Sequence, residues 1–305
     1  MGKLAFVACG VVGVGLALPF VGGARARGRN EDPTRSITVG GITRTYLLHV
    51  PAPLPRDARV PLVLVFHGGG GHARNMPRFS GFDALADEQG FFVAYPESFN
   101  THWNDGRGLS PADDMAFIRA LITQVEHANA VDPKRIYATG MSNGGFLSQR
   151  LACDLADQIA AVASVAATMP EPLVPMCKPA RPISVMFIQG TKDPLVHIEG
   201  GTVARKNGRN ISLAEATAFW TKVDQTAPGT SVELPDRVGD GTHVRKDVHG
   251  GGRQGTEVVV YTIENGGHTW PGGSQYLPAF VVGKASKNLD ATQVIWEFFQ
   301  KHKLE

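Results

Sequence analysis

The sequence predicts an α/β protein in which helices cover both faces of a mostly parallel central sheet. Two observations support this fold class. Short apolar runs typical of buried strands alternate along the chain with stretches of helical period. A serine flanked by glycines also stands where one of these strands gives way to a helix. With 305 residues, of which 43% are hydrophobic, the chain can bury one large core.

Each element follows from a local pattern. The segment 36–50 predicts a β-hairpin that turns at the pair Gly40-Gly41. Apolar runs bounded by turn residues predict strands near 61–66, 91–95, 135–139, 160–166, 183–188 and 257–263. Helical periodicity predicts helices near 76–89, 112–127, 143–153, 211–224 and 289–302. The glycine-rich, charged segment 235–256 predicts a surface hairpin. Alternation of strands and helices favours parallel pairing, because a parallel neighbour needs a crossover connection.

The segment 140–144 has the form G-x-S-x-G and carries the candidate nucleophile, Ser142. A tight turn from strand to helix needs a positive φ at the serine and no side chains at the flanking glycines. Such a turn exposes the serine Oγ and places the backbone N–H of Asn143 at a helix N-terminus, facing developing negative charge. A chance match is the alternative in a chain with 36 glycines, but the flanking strand and helix favour the nucleophile elbow of α/β-hydrolases.

A serine nucleophile needs a histidine base and an acid, which follow it in the chain order serine, acid, histidine in this fold. His268 lies in a glycine-rich loop directly after the strand 257–263. Asp193 lies in the loop that follows the strand 183–188. Both loops are at carboxyl ends of strands, where active sites of open α/β sheets collect. His197 competes for the role of base, because it lies close to Asp193 in the sequence.

An oxyanion hole needs a second N–H donor besides Asn143. The strand 61–66 is followed by His67 and four glycines, which resembles the HGGG-type loop that supplies this donor. Glycines allow the backbone to approach a substrate oxygen closely. A phosphate-binding loop is the alternative, but the lysine of a P-loop is missing. His67 precedes the serine, so a structural role is favoured over that of base.

Several stretches together resemble the secreted polyhydroxybutyrate depolymerase and feruloyl esterase-like α/β-hydrolases. They lie at residues 64–71, 103–108, 113–118, 140–145, 190–196 and 266–272. The resemblance implies a triad of Ser142, Asp193 and His268, with oxyanion donors from Gly69 and Asn143. It also implies hydrolysis of esters of aromatic or short hydroxyalkanoic acids, without a cofactor. A separate linker and substrate-binding domain is not recognisable, which places docking onto an insoluble polymer in doubt.

The acyl group is predicted from two tryptophans. Trp270 follows His268 by two residues, and Trp103 lies in a loop after the strand 91–95. Together they suggest an aromatic-walled cleft for a cinnamoyl ring or an apolar hydroxyalkanoate chain, with core packing as the alternative. Because no separate substrate-binding domain is recognisable, soluble aryl or short-chain esters are favoured over crystalline polyester. Polyester depolymerase and acetyl xylan esterase activities are alternatives, followed by a prolyl-peptidase-like hydrolase and a non-catalytic binding protein on the same fold.

The N-terminus predicts export. Lys3, an apolar run over 4–20 and an A-x-A site at 24–26 fit a signal peptide of residues 1–26, which leaves a single catalytic domain over 27–305. A retained membrane anchor is the alternative. Without residues 1–26 the formal net charge falls from +2 to 0, so neither nucleic acid nor an anionic membrane is an expected partner. No obligate protein partner is evident, and the predicted location is secreted or periplasmic.

The domain over 27–305 has two cysteines, Cys153 and Cys177. In an exported protein an even pair favours a disulfide over two buried free thiols. No metal site is predicted: His243, His249 and Asp247 could be arranged as ligands, but they fit a solvated hairpin better.

Overall fold

A computed structural model describes residues 32–52, 54 and 58–305, apart from the side chain of Arg205. The predicted signal peptide, residues 1–26, lies outside the described residues. Among the described residues, no helix is both long and apolar enough to cross a membrane.

In the described part of the chain, ten strands form one sheet. The strands are β1 Thr34–Val39, β2 Ile42–His49, β3 Val60–Phe66, β4 Phe92–Pro96, β5 Val131–Met141, β6 Ala161–Val165, β7 Ser184–Gly190, β10 Thr230–Glu233, β11 His243–His249 and β12 Val258–Glu264. Their order in the sheet is β1–β2–β4–β3–β5–β6–β7–β12–β11–β10. A separate small ribbon pairs β8 Gly201–Thr202 with β9 Arg209–Asn210. Strands β4, β3, β5, β6, β7 and β12 pair in parallel, and antiparallel strands extend both edges.

Helices cover both faces of the sheet. They are α1 Met76–Ser80, α2 Phe82–Gln89, α3 Asp114–Ala128, α4 Asn143–Asp154, α5 Leu213–Asp224, α6 Ala279–Val282 and α7 Ala291–Phe299. Leu62, Leu64 and Phe66 of β3 share one core with α3, α4 and α5. Val63 and Val65, which point to the opposite face, share the other core with α1, α2 and α7. The predicted α/β-hydrolase architecture is therefore confirmed.

Two sequence-based boundaries are wrong. The helix predicted over 76–89 is two helices, because Gly81 adopts a left-handed conformation with φ of 76° and ends α1. The segment 235–256, predicted as a surface hairpin, contains only one strand of the main sheet, β11, and both hairpin partners of that strand lie outside the segment. Its strand β11 pairs with β12 along seven residues, and β10 pairs with β11, so the segment extends the main sheet.

The predicted disulfide between Cys153 and Cys177 is confirmed. Cys153 lies in the last turn of α4, and Cys177 lies in the segment between β6 and β7. The bridge closes a loop with a sequence separation of 24, which stabilises the fold by about 3 kcal/mol through the reduced entropy of the unfolded chain. The bridge also fixes the C-terminal end of α4, the helix that directly follows Ser142.

A buried acid links α5 to β7. Asp224 is fully buried at the end of α5, and its Oδ1 accepts a hydrogen bond from the backbone N–H of Ile183 at 3.1 Å. Its Oδ2 has no hydrogen-bond partner among the described residues. Burial raises the pKa of Asp224 to about 7, against the opposing effects of the Ile183 N–H and of Arg253 and Arg181.

This raised pKa predicts a pH-dependent stability. Between the unperturbed pKa of 3.8 and about 7, native Asp224 holds a proton that the unfolded chain releases, so the free energy of unfolding falls as pH rises. Asp224→Asn cannot ionise, and we expect the difference in Tm between pH 5 and pH 8 to shrink by roughly 3–6 °C in thermal melts followed by circular dichroism. Asp157→Asn, which changes an exposed acid, should keep the wild-type difference. An unchanged pH dependence in Asp224→Asn would contradict the raised pKa.

Candidate active site

Ser142 lies on a sharp turn between β5 and α4. Its backbone has φ of 56° and ψ of −120°, an uncommon conformation for a residue with a side chain. The turn is held by hydrogen bonds from the Ser142 N–H to the carbonyl of Val165 at 2.9 Å and from the Phe146 N–H to the Ser142 carbonyl at 2.8 Å. The Ser142 side chain is partly exposed. Because strained backbone persists only where its surroundings enforce it, the turn presents the hydroxyl in one fixed position.

The glycines of the motif allow this turn by their lack of a side chain. A Cβ on Gly140 would lie 2.6 Å from the Gly144 carbonyl carbon and 2.7 Å from the Phe66 carbonyl oxygen. A Cβ on Gly144 would overlap with the carbonyl groups of Phe66 and His67. The strand, the turn and the helix therefore fit against each other only with glycine at both positions.

His268 and Asp193 form a buried pair. His268 Nδ1 lies 2.8 Å from Asp193 Oδ2, and the side chains are 4% and 0% exposed. Asp193 Oδ1 accepts hydrogen bonds from the N–H groups of Leu195 and Val196, each at 2.8 Å. Gln189 Nε2 donates to Asp193 Oδ2 at 3.2 Å. This arrangement holds the carboxylate still and leaves His268 Nε2 as the proton acceptor.

Close packing of two loops brings this pair together. Asp193 follows β7 and His268 follows β12, which are parallel neighbours in the sheet. The Lys192 N–H donates to the Gly266 carbonyl at 2.9 Å, and a Cβ on Gly190 would overlap with that carbonyl. His197 is exposed, and the described contacts of Asp193 do not include it. The structure thus pairs Asp193 with His268 and not with the competing histidine.

The glycine loop after β3 packs on the elbow. A Cβ on Gly68 would lie 3.5 Å from the Ser142 Cβ, and one on Gly69 would lie 3.6 Å from the Asn143 Cβ. Gly69 and Asn143, the two predicted oxyanion donors, are therefore neighbours. His67 is 1% exposed and its Nε2 accepts from the Ser98 N–H at 3.2 Å, which is a structural role.

The predicted aromatic-walled cleft is wrong. Trp103 is 0% and Trp270 is 1% exposed, so both lie within the protein. The Trp103 Nε1 donates to the His67 carbonyl at 2.9 Å, and its ring packs edge-on against Phe66. The Trp270 Nε1 donates to the Thr292 Oγ1 at 3.0 Å, and its ring packs in the α1–α2 region. Both tryptophans are therefore packing residues, and their hydrogen bonds hold the loops that contain His67 and His268.

The segment 276–282, which the sequence analysis missed, contacts the backbone of His268. The carbonyl of Val282 accepts from the His268 N–H at 2.6 Å, and the Tyr276 hydroxyl donates to the His268 carbonyl at 3.2 Å. Burial and the charge of Asp193 raise the pKa of Tyr276 to about 12, so this hydroxyl remains a donor. Between these anchors Leu277 is 44% and Phe280 is 90% exposed. No local pattern in the sequence connects the segment with Leu277 and Phe280 to His268, so the sequence did not indicate where that segment lies in the fold.

Outside this site, the described residues include one cluster whose side chains could hold a metal ion, formed by Asp32, His49 and Asp83. Asp32 Oδ1 lies 3.3 Å from His49 Nδ1, and Asp87 Oδ1 lies 2.8 Å from Nε2. Burial lowers the pKa of His49, but the carboxylates of Asp83, Asp87 and Asp32 outweigh it and raise the pKa. Carboxylates at both ring nitrogens fit an imidazolium ion, which itself fills the centre of the cluster.

The architecture around this site is that of the α/β-hydrolases, and a solved structure agrees. An acetyl xylan esterase from Aspergillus awamori superimposes with a TM-score of 0.59, covering 88% of this chain and 99% of that chain at 13% sequence identity. At this identity the likeness concerns the fold alone.

The sequence defines the family more closely. Residues 44–201 match the family model described as Esterase PHB depolymerase. The NocK protein of Nocardia uniformis subsp. tsuyamanensis, assigned to the esterases by name, is 35% identical over 282 residues, covering 87% of this chain and 81% of that relative. Feruloyl esterase B of Piromyces equi is 30% identical over 241 residues, which cover 74% of this chain and 42% of that longer relative. The chain belongs to the PHB depolymerase family of esterases, as the resemblance predicted, and is a carboxylic ester hydrolase.

Proposed function

We propose that this protein is a secreted serine esterase in which Ser142 is the nucleophile, His268 the general base and Asp193 the residue that orients His268. The observation that carries the proposal is the buried pair of His268 and Asp193, whose Nδ1 and Oδ2 atoms lie 2.8 Å apart. Both residues follow strands of the same sheet as β5, the strand that leads into the strained Ser142 turn. The two groups meet from strands β7 and β12, which have no reason to place a buried histidine and carboxylate together for packing alone.

The first half of the reaction forms an acyl-enzyme. Ser142 Oγ attacks the ester carbonyl carbon while its proton passes to His268 Nε2. The carbonyl oxygen becomes an oxyanion, which the N–H groups of Gly69 and Asn143 stabilise. Asp193 stabilises the imidazolium that forms on His268. When the tetrahedral intermediate collapses, the C–O bond to the alcohol breaks and His268 returns the proton to the departing alkoxide oxygen.

The second half releases the acid. Water attacks the acyl carbon as its proton passes to His268 Nε2, and the second oxyanion occupies the same two N–H donors. Breaking the bond to Ser142 Oγ frees the carboxylic acid, and the proton on His268 restores the serine hydroxyl. Neither half requires a metal or an organic cofactor.

The proposed substrates are feruloyl-type aryl esters or short hydroxyalkanoate oligoesters, with polyester and acetylated xylan as alternatives. Support comes from the family and from the relative named feruloyl esterase B. With both tryptophans buried, we assign the apolar contact with the acyl group to Phe280 and Leu277, the exposed side chains of the segment that hydrogen-bonds to His268. Apolar side chains beside a polar reaction centre favour an acyl group larger than acetyl.

A substrate panel with one substitution tests this specificity. We expect a higher kcat/KM for methyl ferulate or hydroxybutyrate trimer than for olein. Phe280→Ser should lower kcat/KM for these substrates about 3- to 10-fold, because an acyl group loses an apolar contact of roughly 1 kcal/mol, and should leave ethyl acetate nearly unchanged. Val232→Ser, which removes an exposed valine from β10, is the matched control. Olein as the best substrate, or equal effects of both substitutions, would reject this assignment.

The proposal places the enzyme in the secreted or periplasmic space, with residues 1–26 removed as a signal peptide. The disulfide supports this location, because disulfides persist in oxidising compartments.

A further inference from the structure

The loop between β4 and α3 contacts both sides of the proposed oxyanion hole. On one side, the Thr101 carbonyl accepts from the Gly70 N–H at 2.9 Å, next to Gly69. The Trp103 Nε1 donates to the His67 carbonyl at the start of the same glycine loop. On the other side, Trp103 and Asp105 hydrogen-bond to the side chain of Asn143.

The Asn143 side chain is fully engaged by this loop. Its Oδ1 accepts from the Trp103 N–H at 2.7 Å, and its Nδ2 donates to the Asp105 Oδ2 at 2.6 Å and to the Trp103 carbonyl at 3.3 Å. Asn143 is 3% exposed. With its amide held inside the protein, Asn143 offers the substrate its backbone N–H alone, and the amide contacts set the orientation of that residue.

Asp105 is itself locked in place. It is fully buried and forms an ion pair with Arg107, whose Nη2 lies 2.5 Å from Asp105 Oδ2 and whose side chain is 2% exposed. The Arg107 guanidinium lies 3.9 Å from the ring centroid of Phe146, one turn along α4 from Asn143. A buried carboxylate destabilises the fold unless a cation pairs with it, and Arg107 supplies that cation. The ion pair thereby fixes the carboxylate that accepts the hydrogen bond from the Asn143 amide.

We propose that Asp105 is a positioning residue of the oxyanion hole. It fixes the Asn143 amide, and through it the Asn143 N–H stays aligned with that of Gly69 before substrate arrives. This inference rests on the proposed serine esterase function. Pre-aligned donors stabilise the transition state without reorganisation, whereas ground-state binding depends on them less. The role therefore predicts an effect on kcat with little change in KM.

Asp105→Asn tests the role with little change of shape. Both carboxylate oxygens of Asp105 accept hydrogen bonds only from N–H groups, which belong to Asn143 and Arg107. The substitution replaces one oxygen by an NH₂ group. In either orientation this NH₂ group faces an N–H donor, so at least one of these hydrogen bonds is lost. With nitrophenyl butyrate we expect kcat to fall about 10- to 100-fold and KM to stay within about 2-fold. Affinity for phenylboronic acid should fall in parallel with kcat. This probe adds Ser142 Oγ at boron, passes the proton to His268 and places an anionic hydroxyl boronate in the site.

Asp224→Asn is the matched control, because it also replaces a fully buried carboxyl. The Asp224 carboxyl accepts a hydrogen bond from the N–H of Ile183, which directly precedes β7, and not from a residue of the oxyanion hole. It should leave kcat and boronate affinity within about 2-fold of wild type. A wild-type kcat in Asp105→Asn would overturn the inference, as would a loss of activity that disappears when rates are divided by the titrated concentration of active sites.

A double-mutant cycle isolates the route through Asn143. Asn143→Ala removes the amide and leaves Asp105 paired with Arg107, so it should reproduce the loss of kcat. Adding Asp105→Asn to Asn143→Ala should then lower kcat by less than about 2-fold more. Additive effects would overturn the inference. If Asp105→Asn does not fold, wild-type kcat in Asn143→Ala overturns it instead. Activity retained by Ser142→Ala would reject the proposed function itself, whatever the variants at 105 and 143 do.

Discussion

Ser142→Ala is expected to lower the turnover of a soluble nitrophenyl ester by about 10⁵- to 10⁶-fold while the fold remains intact. Alanine lacks the oxygen that forms the acyl-enzyme, so only weak catalysis by the oxyanion donors acting on water remains. The fold should tolerate the change, because alanine has the same Cβ and meets the same backbone strain at φ of 56° as serine does. Steady-state kinetics and a thermal melt on the same preparation measure both effects.

The control for this experiment is Ser231→Ala, which removes an exposed hydroxyl from β10. It should retain wild-type turnover. A Ser142→Ala protein that keeps a tenth of the wild-type activity would reject Ser142 as the nucleophile, and with it the acyl-enzyme mechanism.

The sequence predicted the parts of this site that depend on local chain geometry. A glycine on each side of Ser142, between a strand and a helix, sufficed to predict the strained turn, because few other sequences fit it. The positions of Asp193 and His268 followed from a topological rule, since both lie in loops at carboxyl ends of strands. The first of these predictions depends on residues that are close in the sequence, and the second depends on a rule that holds for a whole class of folds.

What the sequence could not predict depends on which side chains meet across the fold. Trp270 follows His268 by two residues and Trp103 lies in a loop after a strand, but the direction of each side chain decides its burial, and both are buried. Asp105 contacts Asn143 across 38 positions, and no local pattern reports such a pair. The only available signal was the position of Asp105 and Arg107 inside a stretch that resembles the family.

Backbone details of the fold were missed for a related reason. Gly81 ends α1 in a left-handed conformation, although the helical period continues through 76–89. The glycine itself was the available signal, because it is the residue that most often terminates a helix this way. Strand β11 pairs with β12 through backbone groups, and its mixed, half-buried pattern gave little indication of pairing.

The second large effect is expected for Asp193→Asn, with a loss in kcat of about 10³- to 10⁴-fold. The asparagine Oδ1 would keep the hydrogen bonds from the Leu195 and Val196 N–H groups, which turns its NH₂ towards His268. His268 Nδ1 must then accept instead of donate, so Nε2 carries the proton and cannot take another from Ser142.

His197→Ala, which alters an exposed histidine near Asp193, should keep activity within about 2-fold of wild type, whereas His268→Ala should be nearly inactive. An inactive His197→Ala beside an active His268→Ala would show that the base has been misassigned. Full activity in Asp193→Asn would mean that the tautomer of His268 is set by something other than this carboxylate.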